Sequence, residues 1–201
     1  RDMIPNNPTE QIDSPKVEKR LPKTLAAKEI EKLLQAPVQG NTPKHLRDTA
    51  LLNMLYATGM RVSEVVFLQM DDVDLRNNLL LVTVREGEGR SREVPLNKEM
   101  HKILEVYLAE GRPYLVKDPK ETALFLNHRG QQLTRQGLWL IIKSYAREAE
   151  LSSEVTPHTL RHSFAAHKLN SGSDLEEVQK LLGHANISTT QIYSQLDEIS
   201  E

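Results

Sequence analysis

Four short stretches carry residues able to do chemistry together. In "HTLRHSFAAH" His158 and Arg161 lie three apart and so share a helical face, at a start marked by Pro157. His162 follows His158 by four residues. "ATGMRVSEV" puts Arg61 at the start of a helix, directly after a turn closed by Gly59, with Glu64 three residues on. "LLGHANISTTQIY" ends a helix at Gly183, sets His184 just past it and brings Tyr193 nine residues later. The fourth stretch, "VREGEGRSREVPL" over residues 84–96, is a charged hairpin turning on Gly87 and Gly89.

Two arginines, two histidines and a tyrosine are what phosphodiester transesterification requires when no metal is used. A guanidinium fork pairs with two phosphate oxygens and stays charged at any working pH. Two such forks neutralise the charge that grows on a pentacoordinate phosphorus. A tyrosine hydroxyl attacks phosphorus once its proton is removed and its oxygen is held in line with the leaving group. Histidine serves as base or hydrogen-bond donor near neutral pH. Taken singly, each stretch has a plainer reading: a helix with polar histidines, a surface Arg–Glu pair, a half-buried packing tyrosine, a solvated turn. The spacing of His158 and His162 also suits two zinc ligands. That reading is disfavoured, because no glutamate follows His158 and the chain has no cysteine.

These groups need a scaffold, and the sequence describes one that is mainly α-helical. Residues 1–20, with three prolines and two asparagines, read as an arm or linker. "TLAAKEIEKLL" predicts a helix capped by Thr24, with Leu25, Ile30, Leu33 and Leu34 as its apolar stripe. Further helices are expected at "HLRDTALLNMLYATG", "RVSEVVFLQM", "KEMHKILEVYLAEG", "RQGLWLIIKSYAREAE", "PHTLRHSFAAHKLN", "DLEEVQKLLG" and "STTQIYSQL". Residues 72–75, "LLLVTV" and "SREVPL" predict a small antiparallel sheet, and "TALFL" a further short strand. The fold class expected is therefore α+β, mainly α with a small antiparallel β-sheet on one side.

The 201 residues suffice for one well-packed domain with an arm. A hydrophobic share of 38% and a charged share of 27% exclude a membrane protein of helical type, and the longest apolar runs are far too short to span a bilayer. The absence of cysteine excludes disulfides and thiol chemistry, and fits a cytoplasmic setting. The net charge of −2 does not advertise a nucleic-acid partner, but it is unevenly spread. Residues 151–201 hold 3 Lys/Arg against 7 Asp/Glu, which leaves 23 against 21 in residues 1–150. A local basic face is compatible with that total.

In this order the motifs resemble the tyrosine recombinase (phage integrase) family, most of all its bacterial Xer-like branch. The resemblance runs from about Leu21 to Tyr193 and rests on "ATGMRVSEV", "REVPL", "HTLRHSFA" and "LLGHANISTTQIY". It implies a recombinase catalytic domain over residues 21–195, preceded by a linker (1–20) from an N-terminal DNA-clamping domain and followed by a short tail (196–201). It implies that Arg61 and Arg161 hold the scissile phosphate, with Glu64 supporting Arg61. His158 would assist proton transfer and His184 bond a phosphate oxygen. Tyr193 would attack phosphorus, giving a 3′-phosphotyrosyl link and a free 5′-hydroxyl. The partner implied is double-stranded DNA, the working unit a homotetramer on it, and no cofactor or metal is required. His162 and His167 carry over no catalytic role and read as structural.

One position departs from the family pattern. The family places a lysine in the hairpin turn as general acid, commonly within "GKG". Here the turn reads "GEG", with Glu88 at that place and no lysine between Lys44 and Lys98. Arg85, Arg90 and Arg92 are near, and Arg90 is the favoured partial substitute, although a guanidinium with a pKa above about 12 is a poor acid. Other readings follow from the same residues: a DNA-binding regulatory module of this fold with impaired turnover, a type IB topoisomerase-like relaxing activity, and, most remotely, a metal hydrolase.

Overall fold

Helix α2 (Pro43–Thr58) runs through the middle of the molecule, because its apolar residues fall on more than one face. Leu51, Leu52, Met54 and Leu55 are all buried. Thr42 caps its start by accepting from the His45 N–H, Pro43 occupies the first turn, and Gly59 ends it in the left-handed region at φ 61°. The computed structural model describes residues 23–83, 91–151 and 154–183. Helices α1 (Ala27–Gln35), α4 (Lys98–Val106) and α7 (Pro157–Asn170) pack on α2. Helix α3 (Val62–Val66) follows Gly59 and packs against α6 (Arg135–Glu148), and α8 (Leu175–Leu182) packs against α7. A second, smaller core of Phe164, Ala165, Val178 and Leu182 lies between α7 and α8.

The sheet is antiparallel in the order β1 (Val73–Asp74), β2 (Leu79–Thr83), β3 (Ser91–Pro95), as the alternation predicts. Its inner face carries Leu80 and Val82 of β2 opposite Val94 and Arg92 of β3. An arginine thus holds a core-facing register position. Among the described residues the fold class is as expected, mainly α with this small sheet. No described helix is long and apolar enough to cross a membrane.

Four details differ from the sequence reading, the first being that the helix expected at "RVSEVVFLQM" ends at Val66, with a separate 3-10 turn at Met70–Asp72. Helix α1 begins at Ala27, not after Thr24, because the Glu29 carboxylate accepts the Ala26 N–H at 2.8 Å and so does the capping from inside the helix. The helix beginning at Lys98 continues past Val106 through one π-helical turn, Tyr107–Gly111, into α5 (Arg112–Leu115). "TALFL" forms no strand; it makes single bridges, Gln69 to Ala123 and Leu126 to Gln132. Side chains take three of its five carbonyls, while Thr122 O and Phe125 O keep backbone partners. Arg112 donates to Ala123 O, the Tyr107 hydroxyl to Leu124 O at 2.9 Å, and Arg47 to Leu126 O at 2.8 Å. The helix expected at "STTQIYSQL" lies outside the described residues.

A buried ion pair ties this segment to two helices. The Arg47 guanidinium contacts Asp48 Oδ1 at 2.6 Å, and the Tyr145 hydroxyl of α6 donates to Asp48 Oδ2 at 2.9 Å. Burial, and then the charge of Asp48, push the Tyr145 hydroxyl well above its ordinary pKa, so it remains a donor. Asp48→Ala would strand a buried guanidinium, a change that typically costs about 3–5 kcal/mol. A corresponding fall in the urea midpoint, with unchanged slope, is the expected result; a shift under about 1 kcal/mol would show that the pair is dispensable.

Candidate active site

Arg61 and Arg161 stand 100 positions apart in the chain and meet at the end of α8. Helix α3 carries Arg61 as its N-cap residue, placed there by the left-handed turn at Gly59. Gly59 is fixed by space as well as by its φ. A Cβ there would lie 2.4 Å from the Phe164 ring and 2.9 Å from Leu182. Arg161 projects from α7, whose start is set by Pro157 and by the Thr156 hydroxyl accepting from the Thr159 N–H. Its guanidinium is buried and donates to Gly59 O and, at 2.8 Å, to Leu182 O. Arg61 donates to the next carbonyl, Gly183 O, at 3.1 Å while its side chain stays 42% exposed.

The last carbonyls of a helix have no partners within it and carry partial negative charge, so they suit cations. At the end of α8 three consecutive carbonyls, the last that of the capping Gly183, are taken by three different arginines. Arg92 Nε donates to Leu181 O at 3.2 Å, Arg161 to Leu182 O and Arg61 to Gly183 O. The three guanidinium groups therefore converge on one helix end.

Glu64 joins this group from below. Its carboxylate is buried and receives Arg92 through two bonds, Nη1 to Oε1 at 2.7 Å and Nη2 to Oε2 at 3.0 Å. It also receives Arg61 Nη1 at 3.2 Å and the Arg61 backbone N–H at 2.6 Å. Burial works to raise the Glu64 pKa, but the hydrogen bonds and charges of Arg92, joined by those of Arg61, outweigh it and hold the carboxyl below its ordinary value of 4.5. Two cations on one carboxylate leave positive charge that Glu64 does not cancel, at a face where Arg61 is open to solvent.

The lowered value sets a pH dependence. The unfolded carboxyl titrates near 4.5 and the folded one lower, so the stabilisation is complete above 4.5 and is lost as pH falls through the folded value. Glu64→Gln is expected to flatten the acid limb of the stability–pH curve below that point, measured by urea unfolding at each pH. An acid limb identical to that of the unaltered chain would contradict the assignment.

Of the remaining expected site residues, His158 is exposed on the first turn of α7, one turn before Arg161. Its ring lies 6.5 Å from that of His162, centre to centre. Burial, and then the charges of His158 and Arg161, lower the His162 pKa below 6.5 and favour its neutral form. His167 bonds the Tyr56 hydroxyl at 2.9 Å, between α7 and α2. His184 and Tyr193 lie outside the described residues, as do Arg85, Glu88 and Arg90 of the hairpin turn. Arg92, named above only as a nearby charge, is bound to Glu64 and Leu181. The signal for it was present in "SREVPL": on a strand Arg92, Val94 and Leu96 share a face, and an arginine on the core side needs a buried acid.

A helical domain with a small side sheet and paired arginines at a helix end defines a class, and comparison with known proteins identifies it. The chain belongs to the phage integrase family, whose family model matches residues 23–199. Within that family it resembles the Xer tyrosine recombinases. It is 51% identical over 199 residues to the tyrosine recombinase XerC of Roseiflexus sp., covering 98% of this chain and 63% of that protein. It is 48% identical over 196 residues to the tyrosine recombinase XerD of Listeria innocua, covering 96% of this chain and 65% of that protein. The chain thus spans somewhat under two thirds of the length of these relatives. Among solved structures it superposes on the XerA recombinase with a TM-score of 0.76 at 32% identity, covering 90% of this chain and 65% of that one. It also matches the XerH site-specific recombinase bound to palindromic difH substrate in a post-cleavage complex, with a TM-score of 0.76 at 30% identity over 89% of this chain and 51% of that one. The fold is that of a tyrosine recombinase catalytic domain.

Proposed function

We propose that this chain is the catalytic domain of a site-specific DNA recombinase that cuts and rejoins double-stranded DNA by metal-free transesterification. The observation that carries the reading is the meeting of Arg61 and Arg161 on adjacent carbonyls, Gly183 O and Leu182 O. Two forks held on adjacent carbonyls suit the non-bridging oxygens of one phosphate. Membership of the phage integrase family, and the likeness to a recombinase solved on its DNA substrate, support DNA as the partner.

In the proposed reaction the Tyr193 oxygen attacks phosphorus and the bond from phosphorus to the 5′-oxygen breaks. The protein then carries a 3′-phosphotyrosyl link, and the leaving 5′-oxygen takes up a proton. A 5′-hydroxyl from another strand reverses these steps, so the number of phosphodiester bonds is conserved. Arg61 and Arg161 bind the phosphate, Glu64 holds Arg61, His158 assists proton transfer and His184 bonds a phosphate oxygen. Residues 21–195 form the domain, with 1–20 as linker and 196–201 as tail. The working unit is a homotetramer on two duplexes, acting in the cytoplasm.

The test uses nicked duplexes, which release the short 5′-hydroxyl strand and trap the cut state. A covalent protein–DNA adduct should form with excess chelator present and disappear in Tyr193→Phe. Binding without adduct would select the regulatory-module reading, and loss of activity in chelator would select a metal hydrolase.

A further inference from the structure

We infer that Arg92 is a positioning residue of this site, holding Glu64 and the end of α8 where the two phosphate-binding arginines meet. The inference rests on the transesterification reading for its effect on rate, but not for its geometry. Arg92 belongs to β3, the strand that leaves the hairpin, and its side chain is only 16% exposed. Both of its terminal nitrogens bond Glu64, at 2.7 and 3.0 Å, and its Nε bonds Leu181 O at 3.2 Å. One side chain thereby joins the sheet, α3 and α8. Glu64 is in turn the group that grips both the side chain and the backbone N–H of Arg61.

This arrangement assigns Arg92 a different task from that of a proton donor. A fork with both ends on one carboxylate has a fixed orientation, and a lysine cannot reproduce it. Its position also explains a constraint on the neighbouring turn. Gly183 has φ 65°, and a Cβ there would lie 2.9 Å from Arg92 Nη1. A side chain at the end of α8 would therefore shift the Arg92 guanidinium from its place between Leu181 and Glu64. Gly183 is also the residue from which the chain passes on to His184.

The experiment compares the unaltered chain with Arg92→Lys, Arg92→Ala and Gly183→Ala on ordinary nicked DNA and on DNA with sulfur at the bridging 5′ position. The sulfur leaving group needs no acid. Arg92→Lys keeps the charge and guards against simple failure to fold; its DNA affinity should be unchanged. Loss of a bidentate charged contact of this kind is expected to slow adduct formation about 10- to 100-fold, equally on both substrates. Because Gly183→Ala displaces the same guanidinium, its effect should not add to that of Arg92→Lys. Carbon-13 titration of the Glu64 carboxyl in the free protein should move upward in both Arg92 variants. A loss cured by sulfur would make Arg92 a proton donor and overturn the inference. So would an unmoved Glu64 titration in Arg92→Lys, or unchanged cleavage by that variant. If the unaltered chain forms no adduct on either substrate, the transesterification reading fails. The Glu64 titration then still decides whether Arg92 holds that carboxylate.

Discussion

Arg161→Ala is expected to slow adduct formation by about 10³–10⁵, the range for an arginine that stabilises a phosphoryl-transfer transition state. The reasons are geometric. Arg161 is nearly buried, at 7% exposure, and two of its bonds run to the neutral carbonyls of Gly59 and Leu182. These hold the fork rigidly while leaving its charge unspent on them, which is how a preorganised cation should be built. Alanine would also free the two carbonyls and loosen the α7–α8 junction, so stability must be measured alongside rate. Arg161→Lys separates the contributions. It keeps the charge and loses the fork, and its rate should fall between those of alanine and the unaltered chain with DNA affinity maintained. The readout is single-turnover adduct formation at saturating protein. An alanine variant within a few-fold of the unaltered chain would remove Arg161 from the chemistry.

Sulfur at the bridging 5′ position is expected to accelerate cleavage by the unaltered chain by about 10²–10⁴, the usual contribution of a general acid. The turn "GEG" offers Glu88 where the family has a lysine, and the adjacent Arg90 holds its proton too tightly to donate it readily. Departure of an ordinary 5′-oxygen should therefore limit the rate, whereas a thiolate leaves without help. Arg90→Ala should slow the ordinary substrate further and spare the sulfur-bridged one. Equal rates on the two substrates would mean that protonation is not limiting and that the missing lysine has been replaced. Arg92 is a weak candidate for that replacement, since its three bonds to Glu64 and Leu181 already direct it inward.

Much of the scaffold was legible because local signals agreed with one another. Thr42, Pro43 and Gly59 bracket α2, Pro157 opens α7, Gly183 closes α8, and the alternation in "LLLVTV" and "SREVPL" gives the sheet. Where long-range side-chain contacts decide the backbone, the sequence was misleading. "TALFL" has strand composition, but Arg47, Tyr107 and Arg112 claim three of its carbonyls, and all three come from helical segments outside it. Helix α1 starts where Glu29 can reach back, not at the hydroxyl of Thr24. At the site, residue types and spacing singled out Arg61, Glu64 and Arg161, and these three do converge. The sharing of Glu64 between Arg61 and Arg92, and the row of carbonyls at Leu181, Leu182 and Gly183, are properties of tertiary packing. Spacing along the chain does not encode them, although a core-facing arginine at position 92 did call for a buried acid.

Digestion of the trapped protein–DNA adduct, followed by mass analysis of the linked peptide, identifies the attacking residue. One modified peptide is expected, spanning Tyr193 and carrying a 3′-nucleotide through its phenolic oxygen, with a free 5′-hydroxyl on the released strand. A link to any other residue, or cut ends without a protein link, would contradict the assignment to Tyr193.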